Sequence, residues 1–123
     1  MKINIRKAQL GDMEAIHSLV RELAAYERGL DKVSTTPGSY IADFEKGAFD
    51  AFVAEVGGEI VGMALYCGMF STWRGRMLYL EDFIVRESLR GAGIGKMLFE
   101  AFIEEARRQE VVLVKWQVLN WNE

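Results

Sequence analysis

Cysteine, histidine and proline occur once each in the 123 residues. No apolar run approaches the roughly 20 residues that span a bilayer, and no excess of basic residues is present. Each shortage removes a class of function. A lone Cys67 allows no internal disulfide and no cysteine cluster for zinc, so no metal is expected. Cys67 is expected as a small buried residue and not as a nucleophile. Any Ser-His or Cys-His pair would have to use His17, which falls on a predicted helix; a surface or half-buried structural histidine is the expectation. The net charge of −3 argues against a nucleic-acid partner and is compatible with an acidic pocket for a cationic substrate. The alternating start "MKINIRKAQ" is not a signal peptide, so a soluble, cytoplasmic protein without membrane contact is expected.

Half of the residues are apolar, which is enough for one domain with one core, here residues 1–123. Residues 2–8 alternate as a half-buried strand. Met13, Ile16, Leu19, Val20 and Leu23 recur at helical spacing over about 10–28, with Gly29 as a stop. Thr36-Pro37 opens a short helix that Gly47 ends. Strands follow at 50–56 and 59–69, joined by a Gly57-Gly58 turn. A polar loop, "STWRGR", leads to a strand at 76–85. A helix over about 92–109 buries Ile94, Met97, Leu98, Ala101 and Phe102 on one face, and a strand at 111–119 closes the chain. The order β-α-α-β-β-β-α-β predicts an α/β (α+β) fold, a mixed sheet covered by helices. The last βαβ unit makes its two strands parallel.

Two features stand out of this frame. "RGAGIGK", Arg90 to Lys96, sits where a strand passes into a helix. The first turn of a helix has free N–H groups and partial positive charge, and glycines let an anion approach them. The arrangement suits a phosphate. A P-loop would need glycine at 90 and serine or threonine at 97, where arginine and methionine stand. A dinucleotide fingerprint would need glycine at 96 and an acid near 115, and both positions are lysine. The second feature is Glu81-Asp82, two acids inside an apolar strand. Adjacent residues on a strand face opposite ways, so both can serve one site only if a bulge intervenes.

The spacing Arg90-x-x-Gly93-x-Gly95 resembles the pyrophosphate motif of the GNAT superfamily of N-acetyltransferases. "ELAAYERG" (22–29), "FSTWRGRMLYLEDFIV" (70–85), "RGAGIG" (90–95) and "NWNE" (120–123) resemble its diamine acetyltransferase subgroup, which includes spermidine/spermine and thialysine N-acetyltransferases. The resemblance implies acetyl-coenzyme A as cosubstrate, lying in an opening between the fourth and fifth strands. It implies that the backbone of Phe83, Ile84 and Val85 pairs with the pantetheine arm. Gly91, Ala92, Gly93, Ile94, Gly95 and Lys96 would hold the pyrophosphate with Arg90 nearby, and Asn122 would meet the cofactor. Glu81 is similar to the family's acid at the acceptor amine. Tyr26, Glu27, Asp82, Lys115, Trp116 and Gln117 match substrate-side positions. It also implies that the chain lacks the family's last helix and two strands, together with the tyrosine that serves as acid. A homodimer, strand-paired or swapped, is therefore expected, and a catalytically impaired binding or assembly module is the alternative function.

Acetyl transfer to an amine needs a deprotonated, aimed nucleophile and donors for the oxyanion. Glu81 meets the first need, since a carboxylate attracts an ammonium and accepts its proton. A backbone N–H near Ile84 is the candidate oxyanion donor.

Overall fold

The computed structural model describes residues 1–116. The chain forms β1 (Asn4–Lys7), α1 (Met13–Tyr26), α2 (Pro37–Glu45), β2 (Asp50–Val56), β3 (Glu59–Ser71), β4 (Gly75–Val85), α3 (Ile94–Arg108) and β5 (Leu113–Trp116). The strands lie side by side in chain order. The first three pairings are antiparallel and β4–β5 is parallel, giving the mixed sheet expected.

Alternation along the strands feeds two cores. Met13, Ile16 and Leu19 of α1, with Tyr40 and Phe44 of α2, cover one face over Val53, Met63, Leu65 and Ile84. Ile94, Leu98 and Phe102 of α3 cover the other over Ala64, Tyr66, Leu78 and Leu80. Each fully buried side chain of this size contributes about 1.5–3 kcal/mol. Met97, expected on the buried face of α3, is instead exposed: the stripe through Ile94, Leu98 and Phe102 is narrower than the apolar residues suggested.

Local chemistry sets the helix ends. The Thr36 side chain accepts from the Ser39 N–H (3.0 Å) and Ser39 Oγ accepts from the Thr36 N–H (2.9 Å), with Pro37 opening α2. All three helices end in the same wrapped turn. After α2 the left-handed position is Gly47 (φ 76°), but after α1 it is Arg28 (φ 59°) and after α3 it is Glu110 (φ 57°). Gly29 is thus not the stop of α1. Its N–H closes the turn on the Ala24 carbonyl at 2.8 Å, one residue beyond Arg28.

Three further expectations change. His17 is buried, donating Nε2–H to the Thr35 carbonyl (2.9 Å) and meeting Tyr40 edge-on at 4.9 Å. Cys67 is only half-buried, because α1 and α2 do not extend over its part of β3. Half of the segment 71–76 is strand: β3 reaches Ser71 and β4 restarts at Gly75 (φ 107°), leaving Thr72 to Arg74 as the tip. Gly62 marks a close approach. A Cβ there would stand 3.0 Å from the Ile84 carbonyl oxygen and 3.2 Å from Leu98 Cδ1, so any side chain would have to push β4 or Leu98 back by a few tenths of an ångström.

Candidate active site

The glycine segment forms the turn from β4 into α3. Gly91 (φ 88°) and Gly93 (φ 85°) are left-handed, and Gly93 caps the helix. The first helical bond at this end runs from the Met97 N–H to the Gly93 carbonyl at 3.2 Å. The N–H groups of Gly91, Ala92, Gly93, Ile94, Gly95 and Lys96 precede it, and among the described residues none donates to a backbone carbonyl. Gly95 keeps the turn tight, since a Cβ there would touch the Phe83 ring at 3.4 Å. Arg90 folds back, and its Nε donates to the Val85 carbonyl at 3.3 Å.

β4 carries the second part. Its described pairing with β5 ends at Leu80–Trp116, while β4 itself runs on to Val85. On its other edge Phe83, Ile84 and Val85 pair with Ala64, Met63 and Gly62 of β3. The β4 edge facing away from β3 is therefore open beyond Leu80 among the described residues. Donors at the glycine turn and an open strand edge leading to them fit a long ligand with phosphates at one end.

A bulge lies at the start of this open stretch. Tyr66 pairs with Leu80 and Leu65 with Asp82, so Glu81 is an extra residue with no opposite number. Leu78 and Leu80 face α3; after the bulge Asp82 and Ile84 face α1 and α2, alongside Leu65. Regular alternation would have put Asp82 with Leu80. The bulge instead brings Asp82 round to join Glu81, and Glu27 at the end of α1 approaches the same place. Burial, then the charges of Glu81 and Glu27, push the Asp82 carboxyl up to about 6. Burial and then Asp82 raise the Tyr40 phenol, and burial and then Glu81 raise the Cys67 thiol, so both groups border the cluster. Among the described residues neither Glu81 nor Asp82 has an ion-pair partner. Arg76, on the same strand, bonds the Gln109 carbonyl (3.0 Å).

A cavity of about 300 Å³ separates α1 from the end of β4. Tyr26, Ile84, Val85 and Arg90 line it, so four of the sequence candidates converge there, together with Glu22 and Arg86. Lys115 sits opposite Tyr79 in the β4–β5 ladder, one residue pair before the end of the described pairing. Trp116 turns to α3 and meets Phe99 edge-on at 5.5 Å, so it is not brought to the carboxylates. Gln117 and Asn122 lie outside the described residues. Tyr40, Glu22 and Arg86 were not among the sequence candidates. Tyr40 and Phe44 at i, i+4 after Pro37 signal an inward face of α2; nothing in the spacing marks Glu22 or Arg86.

Residues 14–123 match the Acetyltransferase (GNAT) family. The thialysine N-epsilon-acetyltransferase of Bos taurus is 36% identical over 98% of this chain and 76% of its own length. That of Caenorhabditis elegans is 35% identical over 89% of this chain and 68% of its own. The human spermidine/spermine N(1)-acetyltransferase-like protein 1 is 32% identical over 97% of this chain and 18% of its own. In fold, the chain is similar to a soil-metagenome aminoglycoside acetyltransferase (TM-score 0.83, 19% identity, 98% of this chain and 80% of that one). It is also similar to the Arabidopsis thaliana glucosamine-6-phosphate N-acetyltransferase (TM-score 0.80, 19% identity, 99% and 86%). Sequence and fold meet on one result: the chain belongs to the acetyltransferase (GNAT) family.

Proposed function

We propose that the chain moves the acetyl group of acetyl-coenzyme A to a primary amine of a small cationic acceptor, of the polyamine or thialysine type. The observation that carries this reading is the bulge at Glu81. It gathers Glu81 and Asp82 beside Glu27, without a paired cation among the described residues, where the open edge of β4 begins. Such a cluster lowers the energy of an approaching ammonium and raises its local concentration. Family membership supports the donor, and relatives named thialysine N-epsilon-acetyltransferase at 35–37% identity support the acceptor class.

The residues present fit the cofactor. The N–H groups from Gly91 to Lys96 would hold its phosphates, and the backbone of Phe83 to Val85 its arm. When bound, it would supply a thioester, an acyl donor that needs no covalent enzyme intermediate and whose thiolate would leave with a proton taken from solvent. The chain does the rest. Glu81 accepts a proton from the ammonium, directly or through water, leaving a lone pair to attack. Asp82 and Glu27 would hold the cationic remainder of the acceptor, and a backbone N–H near Ile84 would donate to the acetyl oxygen. We place the protein in the cytoplasm as a homodimer; no helix among the described residues is long and apolar enough to cross a membrane.

A thiol-release assay with acetyl-coenzyme A and spermidine, thialysine or lysine tests the reading, run beside calorimetry with acetyl-coenzyme A alone. Release that depends on a cationic amine is expected. Binding without release from any of the three amines would leave a cofactor-binding module instead.

A further inference from the structure

Arg86 is a guanidinium on the cavity wall that none of the steps above uses. It follows β4 directly and its N–H is anchored on the Val61 carbonyl at 2.8 Å. Its side chain holds two carboxylates unequally. Nη1 is in close contact with Glu59 at the start of β3, while Nη2 reaches Glu22 of α1 at a loose 3.6 Å. Glu59 is not among the cavity-lining residues; Glu22 is, together with Arg86, Arg90 and Glu87. The charged lining is thus two cations and two anions, a poor receptor for a polyanion as it stands. Arg90, the other cation, immediately precedes the glycine turn, so the cavity that Arg86 lines reaches the residue next to the phosphate cradle.

We propose that Arg86 is a phosphate-reading residue of the cofactor site, releasing Glu22 and taking a phosphate oxygen of incoming acetyl-coenzyme A while it keeps Glu59. The exchange is favourable on physical grounds. A loose pair whose carboxylate is half exposed contributes little, and Glu22 swings into water at small cost. A guanidinium anchored through its second nitrogen loses little freedom on binding a phosphate, and the geometry of the two groups matches. Glu22 is then a competitor that occupies the site until the cofactor arrives.

The inference rests on the acetyl-coenzyme A reading above, and calorimetry separates the two. If the wild-type chain does not bind acetyl-coenzyme A, that reading fails and this one with it. If it binds, Arg86→Met should weaken binding about tenfold, with Arg86→Lys recovering part of the loss. Glu22→Gln should do the opposite and tighten binding about twofold, because the competitor has gone. The loss in Arg86→Met should shrink between roughly 0.05 M and 0.5 M salt as the phosphate charge is screened. A structural strut between α1 and β4 would behave differently, with Glu22→Gln and Arg86→Met both weakening binding. That result, or an Arg86→Met loss indifferent to salt, would overturn the proposal. Glu22→Gln removes only a half-exposed charge, so its sign is readable even if Arg86→Met folds poorly.

Discussion

Asp82 and Glu81 stand side by side and are expected to respond in opposite ways to losing their charge. The Asp82 carboxyl is raised from 3.8 to about 6 in the folded chain, so the folded state holds its proton more tightly than the unfolded one. Ionising Asp82 therefore opposes folding. Stability should fall as pH rises from about 4 to about 6, with the penalty complete above that. Asp82→Asn should accordingly stabilise the protein by on the order of 1–2 kcal/mol at neutral pH and by much less at acid pH. Urea denaturation at both pH values measures the difference, and an equal gain at each would contradict the cause given. The same group should make acceptor binding improve as pH rises through about 6, seen as a falling amine KM, because a cation binds the ionised form. Glu81→Gln should cost activity instead, about 100-fold in kcat or in amine kcat/KM. Kinetics unchanged across pH would remove Glu81 from its role.

Helix ends and strand register decide where these residues stand. Arg28 and Glu110 occupy left-handed positions that glycine fills after α2. Arg28→Gly and Glu110→Gly should each raise stability by about 1 kcal/mol, read as a higher Tm. Gly93→Ala should do the reverse, and it should also weaken acetyl-coenzyme A binding, since φ 85° is what turns the N–H groups of the loop outward. The order of elements was legible because periodicity and turn residues act within a few positions of each other. Thr36-Pro37 and Gly57-Gly58 are local signals of that kind, and α2 and the β2–β3 turn lie where they point. The glycine turn was legible for the same reason. The bulge was not, because it is a relation between β3 and β4 that no run of residues in β4 contains. The Arg86 contacts were hidden likewise, since Glu22 and Glu59 lie 64 and 27 positions before it and meet it only after folding. Cys67 and Met97 were misjudged by type: an apolar residue type says neither how far a helix reaches over a strand position nor how wide the buried stripe of a helix is.

The β3–β4 hairpin projects its tip beyond both cores, and Trp73 is 96% exposed there with Phe70 at 70%. Apolar surface of this kind favours association. The homodimer we infer should sediment as such at micromolar concentration, and Trp73→Ser should shift it toward monomer; a wild-type monomer would end the inference. The bulge has a consequence of another sort. Glu81 is the one residue of β4 between Leu80 and Asp82 that the ladder does not count, so cutting it out would leave every paired residue of β3 still opposite the same residue. The chain should tolerate the deletion, folding with the same far-UV spectrum while its affinity for the amine collapses. An insertion of one residue is thus enough to endow an ordinary hairpin with a second carboxylate on one face, and a frame-preserving loss is enough to take it away. Chemistry on this sheet can be gained or discarded without renegotiating the architecture that displays it.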